Sequence, residues 1–257
     1  MKKRIAIGLL ALMLCLGLLP QAARAATTRK EVLLSPEELT TEDRLAYGTY
    51  QEKPLFWNIL DPLHACDNQT PGLFLLCQSA LNPKIFFNVE GNPTWPESYA
   101  RNWCQTFAGL NPQTPGNFNQ AEEAALLTVN KTEAAESVFE LDWAENRIED
   151  PVFFLSVQEL RDYVNESILQ GPWWLRSQTV GANLAGYVSG TADEIRTAGG
   201  GTWMPPRPAL NLNPENIVMQ RRACSICRSR PQHDDDLLLP MISAGARGVI
   251  SVASNVL

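Results

Sequence analysis

Histidine is scarce in this chain: His64 and His233 are the only two, and they fall in separate loop-like segments. The sequence contains no Gly-x-Ser-x-Gly motif, which excludes the nucleophile elbow of the α/β-hydrolases. Cys104 and His64 could supply a thiol and a base, but nothing in their spacing singles out this pair. The sequence therefore predicts no catalytic residue and favours a protein that is not an enzyme.

Metal ligands are also few and scattered. Calcium needs a dense run of oxygen ligands. The candidates in the central region are Glu90, Glu97, Asp193 and Glu194, and they form no such run. Asp234–Asp236 is dense, but it lies in another segment and is typical of a solvated acidic turn. Cys224-x-x-Cys227 supplies only part of the tetrahedral set of a zinc site. We expect no metal and no cofactor.

The sequence has one long apolar run, which covers residues 5–19. It follows the basic residues Lys2–Arg4 and precedes the small-residue pattern Ala23-Arg24-Ala25, an order typical of a cleavable secretory signal over residues 1–25. The run is shorter than the roughly 20 apolar residues that a membrane span needs. We expect a secreted or cell-surface protein with no transmembrane span once the signal is removed.

Basic residues are outnumbered by acidic ones, 21 Lys and Arg against 28 Asp and Glu. Removal of the signal takes away Lys2, Lys3, Arg4 and Arg24, so the formal net charge falls from −7 to −11. An acidic surface repels phosphate backbones. We therefore expect no nucleic-acid partner.

The cysteines that follow the signal are odd in number: Cys66, Cys77, Cys104, Cys224 and Cys227. At least one thiol is then unpaired or joined to another chain. Cys66 and Cys77 flank a turn-rich stretch and are candidates for a disulfide that closes a short loop. The alternative is that Cys77 and Cys104 are small buried apolar side chains, and the sequence leaves both open.

The order of apolar runs predicts an α+β fold with an initial hairpin, central helices and late short strands. Residues 26–46 form a polar lead-in, and residues 47–216 form the domain. Turn residues separate two strand-like runs, 55–60 and 73–77, which predict the hairpin.

The capping pattern predicts three helices. They run from Trp95 to about Phe107, from about Asn119 to Val129, and from the capping box Ser156-x-x-Glu159 through Tyr163. Glycine-rich turns, including Gly199–Gly201, separate the late strands, which are expected within 173–177, 186–189 and 207–212.

Three motifs follow the opening Phe56–Leu60 run: Trp95-x-x-Ser98-x-x-Arg101-x-Trp103, Trp174-Leu175-Arg176-Ser177 and Arg207-Pro208-Ala209-Leu210. In this order they resemble an uncharacterised domain family of bacterial surface and secreted proteins over residues 47–216. The element order is similar to C-type-lectin-like folds, including the formylglycine-generating enzymes. The resemblance implies a fold and no reaction, because residues 203–212 lack the cysteine pair of those enzymes.

Aromatic and arginine side chains of these motifs divide into two expected roles. Because guanidinium groups stack on indole rings, we expect one set of residues to be structural anchors. These are Trp95, Arg101, Trp103, Trp174, Arg176 and Arg207. Aromatic residues in the late loops predict a carbohydrate or peptide site lined by Trp173, Tyr187 and Trp203.

The last part of the chain has a different character. Residues 217–233 form a junction, and residues 234–257 resemble a late fragment of the dihydrodipicolinate synthase family, a (β/α)₈ lyase. The matching elements are an Asp-Asp loop and the Gly248–Val252 strand followed by Ser254-Asn255. A closed barrel needs roughly 200 residues or more. The tail is thus expected to add no activity and to pack poorly.

These observations predict a secreted or surface-associated non-enzymatic module that binds an extracellular carbohydrate or protein ligand. The alternatives are a lyase, on the resemblance of the tail alone, an uncharacterised extracellular enzyme, or a structural component of a larger surface assembly. An enzyme would require a buried polar cluster with shifted pKa values. The sequence gives no reason to expect such a cluster.

Overall fold

The computed structural model describes residues 32–66, 71–88, 94–131, 148–178, 184–190, 195–221 and 249–253. Several expectations lie outside these residues. They are the signal (1–25), the metal candidates Glu90, Asp193, Glu194 and Asp234–Asp236, and the side chains of His233, Cys224 and Cys227.

The strands, in chain order, are β1 (Val32–Leu34), β2 (Arg44–Tyr50), β3 (Lys53–Ala65), β4 (Pro71–Cys77), β5 (Ile85–Phe86), β6 (Leu126–Leu127), β7 (Val129–Asn130), β8 (Glu149–Asp150), β9 (Val152–Phe153), β10 (Trp173–Gln178), β11 (Leu184–Val188), β12 (Ile195–Gly199), β13 (Trp203–Met204), β14 (Ala209–Leu212), β15 (Val218–Arg221) and β16 (Val249–Ala253). The α-helices are α1 (Tyr99–Phe107), α2 (Gln120–Glu123) and α3 (Val157–Tyr163). Short 3₁₀ helices occupy Pro36–Glu38, Trp95–Glu97, Glu166–Ile168 and Pro214–Asn216.

The main sheet has the order β1-β15-β16-β2-β3-β4-β14-β6, and β9 also pairs with β14. It curls into a half-barrel, and strand residues outnumber helical ones. A smaller sheet has the order β10-β11-β12, and β5 pairs with β13. The predicted mixture of sheet and helix is present, but the fold is mostly β.

The predicted hairpin is confirmed by the antiparallel pairing of β3 with β4. Its buried side chains include Trp57, Ile59 and Leu75. Ala65 pairs with Pro71 at one end of the ladder, and Trp57 pairs with Cys77 at the other. Cys66 and Cys77 are therefore separated by the length of β4, about 20 Å, which rules out the disulfide between them. Cys77 and Cys104 are buried thiols.

Helix α1 begins later than the sequence predicts. Residues Trp95–Glu97 form a 3₁₀ turn, and Ser98 caps α1 because its Oγ accepts a hydrogen bond from the Arg101 backbone N–H at 3.0 Å. Helix α3 is confirmed together with its capping box, in which Ser156 Oγ accepts from the Glu159 N–H at 2.9 Å.

The second helix is wrong beyond its first turn. Asn119 caps α2 as expected, but the helix ends at Glu123. Leu126 and Leu127 form β6 instead, where they pair with Leu212 and Asn211 of β14. A non-local ladder has overridden the local helical preference of this segment.

The tail supplies a strand to the main sheet. β16 lies parallel to β15 and antiparallel to β2, with Ser251 opposite both Gln220 and Ala46. The strand β2 also crosses the boundary expected between residues 46 and 47. The lead-in, the domain and the tail therefore each contribute strands to one sheet.

Candidate functional site

Arg207 joins three segments through its guanidinium group. Its Nε donates to the Cys77 carbonyl at 2.9 Å, and its two terminal nitrogens donate to the carbonyls of Gln78 at 2.8 Å and Ile168 at 2.6 Å. The Trp173 ring lies 5.0 Å from the guanidinium carbon. Burial lowers the pKa of Arg207 to about 10. These contacts give this residue a tethering role.

Asp150 is a fully buried acceptor for two of the predicted anchors. It accepts hydrogen bonds from Trp95 Nε1 at 2.8 Å and from Arg101 Nε at 2.8 Å. Trp103 packs one turn along α1, with its ring centroid 5.1 Å from that of Phe107. The network fastens α1 and the preceding turn to β8.

Trp174 is buried behind β5. Its Nε1 donates to the Ile85 carbonyl at 3.0 Å, and its ring lies edge-on to Phe87 at 5.6 Å and to Tyr187 at 6.4 Å. This bond holds the smaller sheet against the β5–β13 pair. It fixes the strand that carries Phe86.

Lys131, Glu159 and Arg176 form a buried ionic cluster. Glu159 Oε1 accepts from Lys131 Nζ at 2.8 Å, while Oε2 accepts from Arg176 and from the Ser156 N–H. Lys131 Nζ also lies 3.9 Å from the centre of the Phe153 ring. Burial alone raises the pKa of Glu159, but the two cations outweigh it and hold that pKa far below its ordinary value.

His64 lies beside this cluster, on the end of β3. Its ring stacks on Phe74 at 4.6 Å and meets Tyr163 edge-on at 5.2 Å. Its Nδ1 lies 3.4 Å from Asp61 Oδ2. Burial and the Lys131 charge lower the pKa of His64, against the opposing effect of Asp61.

A buried polar cluster with shifted pKa values is therefore present, contrary to expectation. Sequence reasoning identified Glu159 only as a capping residue and missed Lys131 and Asp150. The partners of these side chains lie on distant segments, so no local pattern marks them.

The three residues predicted to line a ligand site do not share one surface. Trp173 is fully buried in β10, all of whose residues are buried, so its place in an exposed groove is wrong. Tyr187 is half-buried against Trp174. Trp203 is 61% exposed. Only Trp203 retains the exposure that a ligand contact requires.

Trp203 belongs instead to a group of three neighbouring rings, which we call the aromatic patch: the half-buried Phe86 and the exposed Tyr99 and Trp203. The Phe86 ring centroid lies 5.3 Å from Trp203, nearly perpendicular, and 4.3 Å from Tyr99. Tyr99 is 40% exposed. Phe86 and Tyr99 were missed because the β5–β13 pairing brings Phe86 to Trp203 and the packing of α1 brings Tyr99 to Phe86.

The patch rests on a well-supported backbone. Trp203 pairs with Phe86 and Met204 pairs with Ile85. The Gly200 carbonyl accepts from the backbone N–H groups of Phe87 at 2.8 Å and Asn88 at 3.0 Å. Phe86 and Trp203 therefore stand on a hydrogen-bonded two-stranded ladder, and Tyr99 stands on the first turn of α1. Ligand binding would require little ordering of this surface.

The described residues form no other surface as well suited to a ligand as the aromatic patch. A shallow depression of about 140 Å³ is lined in part by Leu110, Glu123 and Pro151. Its volume is well below that of typical small-molecule pockets. Within the described ranges, no three His, Cys, Asp or Glu side chains are grouped to hold a metal ion. No helix there is long and apolar enough to cross a membrane.

No protein-family model, no curated protein and no solved structure matches this chain. The fold and the surface thus define the chain as a mostly β protein with a curled sheet and an exposed aromatic patch.

Proposed function

We propose that this protein is a secreted or surface-associated, non-enzymatic binding module of lectin-like character, and that the aromatic patch holds a carbohydrate. The observation that carries the proposal is the 61% exposure of Trp203 beside Tyr99 and Phe86. A large indole exposed to this degree on a supported strand leaves apolar surface in water, which a ligand would cover.

A sugar ring suits such a surface because one of its faces presents C–H groups and its rim presents hydroxyl groups. The C–H face packs on an aromatic ring, and the hydroxyl groups remain hydrated or bond to polar neighbours. The near-perpendicular setting of Trp203 and Phe86 gives such a ring a flat face and an adjoining edge. The patch thus offers contacts to one or two sugar units.

The charge of the chain narrows the ligand class. With residues 1–25 removed, the net charge of −11 repels anionic glycans over the range of electrostatic interactions. Neutral polysaccharides are therefore favoured over uronic acid or sulfated ones. Extended peptides are the second ligand class to test.

The test is the substitution Trp203→Ala, with Tyr99→Ala as a second variant and Leu110→Ala as a matched control. Leu110 is a 59% exposed apolar side chain outside the patch. We expect binding to neutral glycans on an array, followed by calorimetry, to fall at least tenfold in both patch variants and to be unchanged in the control. Thermal unfolding should be the same in all three.

Two results would contradict this proposal. If Trp203→Ala unfolds the domain, the indole is structural; if all variants bind glycans as the wild type does, the patch is not the site. Preferential binding of peptides that is lost in the patch variants would replace the carbohydrate with a protein ligand.

The ionic cluster gives an enzymatic alternative less support. Both carboxylate oxygens of Glu159 are occupied by Lys131, Arg176 and the Ser156 N–H. Lys131 is only 7% exposed, so a substrate has little access to its amine. A cluster whose hydrogen bonds are used internally stabilises a fold, and it lacks a free base or nucleophile.

The secreted location is tested by the intact mass of the protein recovered outside the cell. We expect the mass of a chain that begins at Ala26 and includes residues 222–257. A mass that retains residues 1–25 would contradict cleavage of the signal. A mass that ends near Met219 would remove the tail from the mature protein.

A further inference from the structure

The two exposed rings of the aromatic patch lie in different planes. The planes of Phe86 and Trp203 are inclined by 85°, and those of Phe86 and Tyr99 are inclined by 33°. The smallest angle that 85° and 33° allow between the Trp203 and Tyr99 planes is their difference, 52°. The rings that a ligand can reach are therefore far from coplanar.

Pairing and packing hold the two rings at this angle. Phe86 contacts both of them, with its ring centroid 4.3 Å from that of Tyr99 and 5.3 Å from that of Trp203. Trp203 lies opposite Phe86 in the β5–β13 ladder, whereas Tyr99 is the first residue of α1. Bringing the rings into one plane would change the packing of at least one of them on Phe86.

A crystalline polysaccharide and a single polysaccharide chain present their sugars differently. The surface of a crystal displays many sugar rings in one plane, and coplanar aromatic rings match it. A single chain in solution twists, so its sugars turn their faces in different directions. Rings inclined by at least 52° can each pack on a sugar of a twisted chain, whereas only one of them can lie flat on a crystal.

An exposed amide lies beside one of the rings. Asn102 is exposed and follows Tyr99 by three positions in α1. Residues three apart on a helix are neighbours on its surface. The amide can donate to and accept from sugar hydroxyls, which are accessible on a single chain and largely bonded to neighbouring chains in a crystal. Asn102 thus adds a polar contact at the Tyr99 end of the patch.

Given the carbohydrate-binding function proposed above, we propose that the aromatic patch recognises single chains of a neutral polysaccharide and not the flat surface of a crystalline one. One sugar packs on Trp203, another packs on Tyr99, and the Asn102 amide binds hydroxyl groups of the sugar at Tyr99. Chains that already twist in solution lose the least conformational freedom on binding to rings held at a fixed angle.

The experiment offers the folded full-chain protein the same sugars in soluble and crystalline form. The soluble probes are oligosaccharides of glucose with β-1,4, β-1,3 or α-1,4 linkages and β-1,4 oligosaccharides of N-acetylglucosamine. The solid probes are microcrystalline cellulose and crystalline chitin. We expect binding to at least one soluble series by NMR titration, and no loss of protein from solution when the solids are sedimented.

The dependence on chain length tests the use of two rings. From monosaccharide to trisaccharide, the affinity should rise by about tenfold or more, because a further sugar reaches the second ring. Trp203→Ala and Tyr99→Ala should each lose most of this gain. Asn102→Ala should weaken trisaccharide binding by about threefold or more, since one hydrogen bond is lost. The matched control is Gln113→Ala, which removes an exposed amide in the loop after α1 and should have no effect.

The outcomes separate this inference from the function on which it rests. Binding to cellulose or chitin that soluble oligosaccharides of the same sugar do not compete would overturn the inference and leave the carbohydrate function in place. Equal affinity for the monosaccharide and the trisaccharide would overturn it in the same way. Binding to none of the soluble or crystalline probes, by protein that circular dichroism shows to be folded, would overturn both.

Discussion

At the residue scale, buried polar side chains with distant partners hold this molecule together. Arg207 donates to carbonyls on two separate segments and stacks on Trp173. Asp150 accepts from both Trp95 and Arg101. Such bonds contribute less by their own strength than by the penalty that follows when one partner is removed, because the other is then buried without a hydrogen bond.

His64 makes the stability of the protein depend on pH. Its pKa is lowered in the folded state because burial and Lys131 disfavour the imidazolium, so the unfolded chain binds the proton more readily. The stability it contributes is present above the unfolded pKa of about 6.5 and is lost as the pH falls through that value towards the folded pKa. We expect the free energy of unfolding, measured with urea and tryptophan fluorescence, to fall between pH 7.5 and pH 5.5.

The variant His64→Gln should show a much flatter profile over the same range. His233→Gln is the matched control, because it removes the other histidine of the chain. If His64→Gln declines as steeply as the wild type, another group is responsible for the acid sensitivity.

At the element scale, one carboxylate links α3 to two other segments of the chain. Glu159 closes the capping box of the helix and also binds Lys131 and Arg176, which belong to other segments. The helix has seven residues, too few to be stable alone in water. Its position is therefore set by these ionic contacts and by the burial of Val157 and Leu160.

The substitution Glu159→Gln removes the charge and keeps the shape. Lys131 and Arg176 would then both lose the carboxylate that binds them in the buried cluster. We expect a loss of about 3–5 kcal/mol in the free energy of unfolding. The matched control is Glu166→Gln, an exposed change in the 3₁₀ turn that follows α3. Equal urea midpoints for the two variants would show that the cluster contributes little.

At the scale of the whole molecule, the position of β16 decides how the sheet is assembled. In the described residues, β16 is the link between the β1–β15 pair and the strands from β2 onwards. It runs parallel to β15 although the two are consecutive strands of the described chain. Such a connection needs a dozen or more residues, and residues 222–248 provide that length.

The substitution Ser251→Pro tests the place of this strand. Proline at the centre of a strand paired on both sides removes a backbone donor, and we expect a loss of about 3 kcal/mol or more. Ser251→Thr, which keeps the N–H and favours a strand, should have no such effect. The opposite outcome is a proline variant as stable as the wild type, together with proteolysis that removes residues 222–257 from both proteins. It would show that the tail is not part of the folded sheet.

The sequence by itself determined the features that depend on neighbours along the chain. These are the hairpin of β3 and β4, the capped start of α2, and α3 with its capping box, because turn residues and capping side chains act within a few positions. The arginine and tryptophan motifs were recognised as anchors, although their partners were not.

Only the tertiary structure decided what depends on segments far apart in the sequence. The β5–β13 pairing brought Phe86 to Trp203, and the packing of α1 placed Tyr99 against Phe86. Trp173 is buried in β10, so the aromatic patch differs from the predicted site. The pairing of β6 with β14 cut α2 short, and folding placed Lys131, Glu159 and Arg176 together. Burial and pairing between remote strands are set by the whole chain at once, and no local pattern of residues encodes them.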